Sequence, residues 1–171
     1  MQVIKYLMLL LILLSSTYIG ILISKKYTNR VKELKQMKNA LNIFSTKIKF
    51  TYEPIPEMFY EISNKVEAQI GEIFKNASEK MKKNINAGEA WKQALEESNT
   101  NMKKEDIETL KTLSNLLGKV DIEGQISEIE LVNNFIDNQI EKAEEESKKN
   151  VKMYKTLGTT VGLAVVILLI W

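Results

Sequence analysis

Residues 6–23 read YLMLLLILLSSTYIGILI, a run of 18 residues without a charged side chain. As a helix this run would be about 27 Å long at roughly 1.5 Å per residue, close to the thickness of a bilayer's hydrocarbon core. A secretory signal peptide has a shorter apolar core, and no small-residue cleavage site is evident before Lys25. The sequence therefore predicts a retained N-terminal membrane anchor over residues 1–23.

The other end of the chain carries a second apolar run. Residues 157–171 read LGTTVGLAVVILLIW, again without a charge. This is shorter than the ~17–25 residues of most spans, but Lys155 can extend its ammonium to the headgroups and Trp171 suits an interface. A helix buried in a soluble domain is the alternative, and it would leave a strongly apolar tail on a small bundle. We predict a C-terminal membrane helix over residues 156–171, with one domain over residues 24–155 between the two spans.

Basic side chains border both apolar runs on their inner sides. Within this border Glu33 is the single acid between Ser24 and Asn39, and no acid follows Lys148. Because basic residues are retained on the cytoplasmic side, both termini are predicted to lie outside and residues 24–155 in the cytosol. The same side chains are predicted to contact anionic headgroups at the membrane surface. They are Lys25, Lys26, Arg30, Lys32, Lys148, Lys149, Lys152 and Lys155.

Between the apolar runs the pattern is helical. Gly and Pro are sparse and strand-like alternation is absent, so the fold class is all-α, a six-helix cytosolic bundle flanked by the two membrane helices. A first helix over residues 28–50 buries a stripe, and Pro54 and Pro56 end it and open a second helix over residues 55–63. Asn64 and Asn86, each followed three residues later by Glu, are predicted to cap helices three and four. The stripe of the first helix is Val31, Leu34, Met37, Leu41, Phe44 and Ile48.

The last two helices of the bundle are predicted around a glycine turn. A fifth helix, lined by apolar residues from Ile107 to Leu117, is predicted to stop at Gly118 in a left-handed conformation. Asp121 caps a sixth, which runs from Ile122 to about Asn150 and continues into the second span. One face packing into the bundle is favoured over a coiled coil. The predicted buried face comprises Ile122, Ile126, Ile129, Asn133, Ile136, Ile140 and Ala143, widened by Leu131 and Phe135.

Composition excludes most enzymatic chemistry. The chain has no Cys and no His, which removes disulfides, thiolate nucleophiles, the commonest zinc ligand and the commonest neutral-pH base. Glycine-rich nucleotide-binding motifs are absent, and a net charge of +2 gives no field for nucleic acid. We therefore predict no enzymatic activity, no metal, no cofactor and no nucleic-acid partner. A solvated acidic face, rather than a metal site, is predicted for Glu141, Glu144, Glu145 and Glu146.

Two small-residue features leave alternatives open. In residues 87–95, AGEAWKQAL, Gly88 permits close approach of another helix, and Trp91 is predicted to pack internally, with exposure for partner docking as the alternative. In the first span, Ser15, Ser16 and Thr17 either bond back to their own helix or face a partner helix.

Several short motifs occur in this chain in the same order as in one known protein family, over essentially its full length. These are residues 52–57 (YEPIPE), 88–91 (GEAW) and 103–106 (KKED), then Leu117-Gly118, Asp121 and Gln125, between the two spans. On these residues the chain resembles the stage III sporulation protein AB family. The resemblance implies a membrane protein of the channel, or feeding tube, between mother cell and forespore, located in the mother-cell membrane around the forespore. The cytosolic domain is expected to be similar to the platform-protein domain of type II secretion and type IV pilus systems.

The implied partners are membrane lipid, a secretion-type ATPase and the other membrane proteins of the stage III sporulation A operon, with a homo-oligomer possible. The resemblance implies no catalytic residue in this chain. We expect the turns farthest from the membrane to dock the ATPase, while a two-span signalling or regulatory protein is the alternative. The predicted docking residues are Lys83, Lys119, Asp121 and Gln125.

Overall fold

The structure is a computed structural model that describes residues 2–51, 53–115, 117–118 and 122–170. Within these ranges there is no strand, which confirms the all-α prediction. The first and last helices run without a break through the predicted membrane segments. The elements are α1 (Gln2–Phe50), α2 (Ile55–Ser63), α3 (Ala68–Lys82), α4 (Ala87–Glu96), α5 (Lys104–Lys111), a 3₁₀ turn (Thr112–Asn115) and α6 (Ile122–Ile170).

The chain forms two compact units. The first comprises the chain up to Val31 and from Lys142 onward, and the second is Lys32–Glu141. In the first unit, α1 and α6 pair antiparallel through small residues. A Cβ at Gly20 would lie 2.6 Å from the carbonyl oxygen of Tyr154, and the Ser16 hydroxyl donates to the carbonyl of Gly158 at 2.7 Å. Ser16 therefore faces a partner helix within its own chain.

The outer surface of the first unit is apolar. Both helices are long and apolar enough, by length and composition, to cross a membrane. A core helix of a soluble protein buries most of its apolar side chains, but here most of them are exposed. Two candidate membrane spans are therefore present at the ends of the chain. The exposed side chains include Leu7, Leu10, Leu11, Leu14, Ile19, Val161, Leu163, Ile167 and Leu168.

The core of the second unit is centred on four aromatic rings. Phe44, Phe59, Phe74 and Trp91 contact one another with ring centroids 4.9–5.6 Å apart. Trp91 is fully buried, and its indole N–H donates to the carbonyl of Leu110 at 2.8 Å. Trp91 therefore packs internally and joins α4 to α5, since buried indole groups need a hydrogen-bond acceptor.

The start of α4 confirms one predicted cap, and the start of α3 contradicts the other. The Asn86 side chain accepts from the backbone N–H of Gly88 at 3.0 Å. Asn64 instead ends α2, where its side-chain amide donates to the carbonyl of Tyr60 at 3.1 Å. The helix α3 begins at Ala68, after Glu67. The prediction for Asn64 was wrong because the end of α2 already uses this side chain.

The structure also corrects the predicted ends and faces of the last two helices. Helix α5 ends at Lys111 and the 3₁₀ turn follows it. Gly118 has a φ of +76°, the left-handed conformation predicted for it. Leu131 and Phe135 are 48% and 52% exposed, and Ile122 is exposed as well, so their predicted burial was wrong. The residues of α6 buried against the second unit are Ile129, Val132, Ile136 and Gln139.

The contacts of α6 explain this difference. The side-chain amide of Gln139 donates to the carbonyl of Glu105 at 3.2 Å, so the side of α6 that carries it packs on α5. At roughly 100° per residue, Leu131 lies well around the helix from Ile129 and Ile136. It therefore lies beyond the buried face.

Candidate functional site

One end of the second unit brings together three chain segments. Helix α3 begins beside α1, where Lys32 pairs with Glu67 at 2.8 Å, and it ends where Lys82 lies over Tyr60, next to the Glu61 that pairs with Lys47 of α1, so it runs in the same direction as α1. Helix α6 is antiparallel to α1, since Lys38 pairs with Asp137 and, further along α1, Asn42 accepts from the Asn133 amide at 2.8 Å. The end of α1, the turn after α3 and the beginning of α6 therefore lie at the same end of the bundle. We call this region the bundle end.

The bundle end exposes apolar side chains. Phe50 is 72% exposed, with the Lys49 ammonium 5.5 Å from its ring centroid, and Ile122 is 45% exposed. Of the predicted docking residues, Lys83 is exposed and Gln125 is half-buried. Lys119 and Asp121 lie outside the described residues, as do Tyr52, Leu116 and Trp171. The structure therefore adds two apolar side chains to the predicted docking residues.

Sequence reasoning missed Phe50 and Ile122 for different reasons. Phe50 is out of phase with the apolar stripe of α1 and immediately precedes the proline turn, which was a usable signal of exposure. Ile122 fits the apolar stripe predicted for α6, but the buried part of that helix begins only at Ile129. Gly118 lies beside Ala87, the first residue of α4. A Cβ at Gly118 would lie 3.7 Å from that of Ala87.

A buried carboxylate links two chain segments at the end of the second unit opposite to the bundle end. Glu33 is almost completely buried, and its carboxylate accepts from the backbone N–H and the side-chain amide of Asn101, each at 2.6 Å. These bonds connect α1 to the loop between α4 and α5. The sequence showed Glu33 only as the single acid within the basic border of the first span.

Replacing Glu33 by Ala should destabilise the second unit. The change leaves the backbone N–H and side-chain amide of Asn101 without their buried acceptor, which costs about 1–3 kcal/mol. The measurement is thermal unfolding of the full chain in detergent, followed by its helical circular dichroism. Lys32→Ala, at an exposed neighbouring position, is the matched control. Equal melting temperatures for the two variants would contradict the proposed link.

The predicted membrane-surface residues differ in their exposure. All seven lysines among them are exposed. Arg30 has a side chain only 4% exposed and donates to a carboxylate oxygen of Glu146 at 2.9 Å. The lysines therefore remain accessible to headgroups, whereas Arg30 connects α1 to α6 within the first unit. Glu146, which was predicted to belong to a solvated acidic face, forms an ion pair with Arg30.

Two partly buried lysines of the second unit each form ion pairs with two carboxylates. Lys47 donates to Glu61 and Glu53, which raises the pKa of Lys47, and the same bond lowers the pKa of Glu61. Lys111 pairs with Glu96 and Glu108 in the same manner. In the described part of the chain no three acidic side chains gather as candidate metal ligands. The shifted pKa values at these two lysines thus arise from ordinary ion pairs.

The chain matches a known protein family over almost its whole length. A family model described as stage III sporulation protein AB matches residues 5–170, which is nearly the whole chain. The chain belongs to the stage III sporulation protein AB family. Its resemblance to that family, first seen in the order of its motifs, is thereby confirmed.

Individual relatives agree with the family assignment. Stage III sporulation protein AB of Bacillus subtilis (strain 168) is 27% identical over 161 residues, covering 92% of this chain and 94% of the relative. A solved structure of stage III sporulation protein AB (SpoIIIAB) superposes with a TM-score of 0.66 at 23% identity. It covers 70% of this chain and 96% of its own, and it supports the fold. These relatives are named as sporulation proteins rather than as enzymes.

Proposed function

We propose that this chain is a non-enzymatic membrane platform of the mother cell–forespore channel and that its bundle end docks a cytosolic secretion-type ATPase. The two spans anchor the chain in the mother-cell membrane around the forespore, with both termini outside. The second unit then lies in the cytosol, where a motor can reach it. The neighbours in the membrane are the other stage III sporulation A-operon proteins.

The exposed apolar surface of the bundle end is the observation that carries this proposal. Phe50 and Ile122 are large side chains left exposed where two helices terminate, and the exposed Lys83 lies at the same end of the bundle. Protein–protein contacts concentrate their binding energy in a few such apolar or aromatic anchors within a polar rim. The seven exposed lysines that border the spans support the predicted orientation, because anionic headgroups attract them.

The membrane topology is tested with single cysteines, since the native chain has none. Asn99→Cys, at an exposed position in the loop before α5, should resist a membrane-impermeant maleimide in intact sporulating cells and react after lysis. A Cys appended after the C-terminus should react in intact cells. Reaction of Asn99→Cys before lysis would place the second unit outside and overturn the proposal.

ATPase docking is tested by substitutions at the bundle end. Phe50→Glu and Lys83→Glu should each reduce co-purification of the ATPase and the yield of heat-resistant spores about tenfold, because loss of an anchor costs about 1–2 kcal/mol of binding. Lys65→Glu, an exposed lysine in the turn at the opposite end, should leave both unchanged. Wild-type melting temperatures should show that all three variants fold. Normal ATPase binding by both bundle-end variants would overturn the docking proposal.

A further inference from the structure

The face of α6 around Leu131 and Phe135 is an unusual surface for a bundle helix. These two side chains are half-exposed and lie one turn apart. Residues 122–141 contain five acidic side chains and no basic one. Glu128, three residues before Leu131, lies on the same side of the helix as the pair, since residues three apart are neighbours on a helix surface. We call this surface the acidic face.

A second exposed surface of the same unit combines an aromatic ring with two lysines. Tyr60 on α2 is 47% exposed, and the Lys82 ammonium at the end of α3 lies 5.1 Å from its ring centroid. Residues 80–83 read KMKK, with Lys82 and Lys83 exposed. Helices α2 and α3 pack on each other, whereas the acidic face lies on α6, outside the face that packs on α5. We call the surface of Tyr60, Lys82 and Lys83 the basic face.

The two faces lie at a similar level along α1. The Lys38–Asp137 and Asn42–Asn133 contacts place Leu131 and Phe135 level with about residues 40–44 of α1. Lys47 pairs with Glu61, next to Tyr60, which places the basic face about one turn further along. Copies that share one membrane orientation can meet only side by side at equal height. This step rests on the membrane anchoring described under Proposed function.

We propose that the acidic face docks onto the basic face of a second copy of this chain. Each face has an apolar anchor, and the charges beside the anchors are opposite, Glu128 next to Leu131 and Lys82 over the ring of Tyr60. The surrounding acids disfavour the other obvious apolar occupant, a membrane surface with anionic headgroups. Because the two faces are different surfaces, the contact is head-to-tail and extends to a ring or a row of copies.

The contact is small. Two half-exposed apolar side chains on one face and one on the other fall far short of the roughly 1,200 Å² of a stable soluble interface. Anchoring in one bilayer raises the effective concentration of the copies, which is how weak contacts between tethered partners become populated. Association is therefore expected in membranes and is lost on dilution in detergent.

Cross-linking between two tagged full-length copies tests the proposal. Asn138→Cys beside the acidic face and Glu57→Cys beside the basic face are exposed positions that leave the anchors intact. In membranes of cells expressing both copies, a short bis-maleimide should join Asn138→Cys to Glu57→Cys at least about ten times more efficiently than Asn138→Cys to Asn99→Cys. Adding Phe135→Asp should abolish the cross-link, and Phe135→Leu should retain it.

Charge exchange separates a second copy from another occupant. Glu128→Lys or Lys82→Glu alone should reduce the cross-link about tenfold, and the two together in every chain should restore it. Restoration supports the proposal, because only a second copy of this chain would carry the compensating charge. An absent cross-link between correctly oriented chains, or a loss that the double exchange does not repair, overturns it. The thiol-labelling experiment reports topology separately, and normal ATPase binding by the bundle-end variants with an intact cross-link contradicts only the docking proposal.

Discussion

Trp91→Ala is expected to lower the free energy of unfolding by about 3–5 kcal/mol, as large-to-small changes at buried aromatic positions do. The substitution removes one of the four rings of the aromatic cluster, where the ring of Trp91 contacts Phe59 and Phe74. It also removes the donor to the carbonyl of Leu110. Denaturant unfolding of the full chain in detergent, followed by circular dichroism, measures the change.

Two controls accompany this substitution, one that removes the hydrogen bond but keeps a ring and one that removes an exposed ring. Trp91→Phe keeps a ring in the cluster and should cost less than Trp91→Ala. Tyr60→Ala removes an exposed aromatic ring and should cost well under 1 kcal/mol in detergent, where copies do not associate. A loss for Trp91→Ala no larger than that for Tyr60→Ala would show that Trp91 is not part of a packed core.

Gly20→Leu is expected to separate the two helices of the first unit. A Cβ at Gly20 would lie 2.6 Å from the backbone oxygen of Tyr154 and 3.1 Å from the Cα of Gly158. Backbone atoms cannot rotate away as a side chain does, so the helices must move apart. In lipid this loss is serious because close packing of small residues is a main source of helix association.

A cysteine pair reports the separation directly. A Cβ at Gly162 lies 3.1 Å from that of Ser16, slightly below the usual disulfide spacing of about 3.5–4.5 Å. Ser16→Cys with Gly162→Cys should oxidise readily in membranes, and Gly20→Leu should reduce that oxidation about tenfold. Gel shift with maleimide-polyethylene glycol counts the free thiols. Ile19→Leu, at an exposed neighbour, should have no effect, and unchanged oxidation in Gly20→Leu would contradict the close packing.

Much of the fold could be predicted because its signals are local. Five of the six stripe positions predicted on α1, Leu34 through Ile48, are buried, and α2 has the predicted bounds. Both results depend on an apolar repeat and on the backbone restrictions of proline. The Asn86 cap was predictable for the same reason, since its acceptor and the donor of Gly88 are two residues apart.

The errors arose where a distant partner decided the outcome. Asn64 fits an N-cap pattern, but the preceding helix uses its side chain. Leu131 and Phe135 fit a helical stripe, yet the contact of Gln139 with α5 selects another face of α6. The bundle end combined both situations. The number of helices was enough to predict that Lys83 lies far from the membrane. The exposure of Ile122 depends on how α6 packs on other helices, which the residues next to Ile122 in sequence do not determine.

The pairing of α1 with α6 has a consequence for biosynthesis. Lys38 contacts Asp137 across 99 residues, and Asn42 contacts Asn133 across 91. A ribosome therefore completes the first helix long before it makes the helix that covers it. Until then the apolar stripe of α1 lacks part of its cover, and such long-range contacts slow folding and prolong exposure to aggregation and proteolysis. The element synthesised first is among the last to be protected, so chaperones and membrane proteases should act on this protein mainly while its chain is still being made.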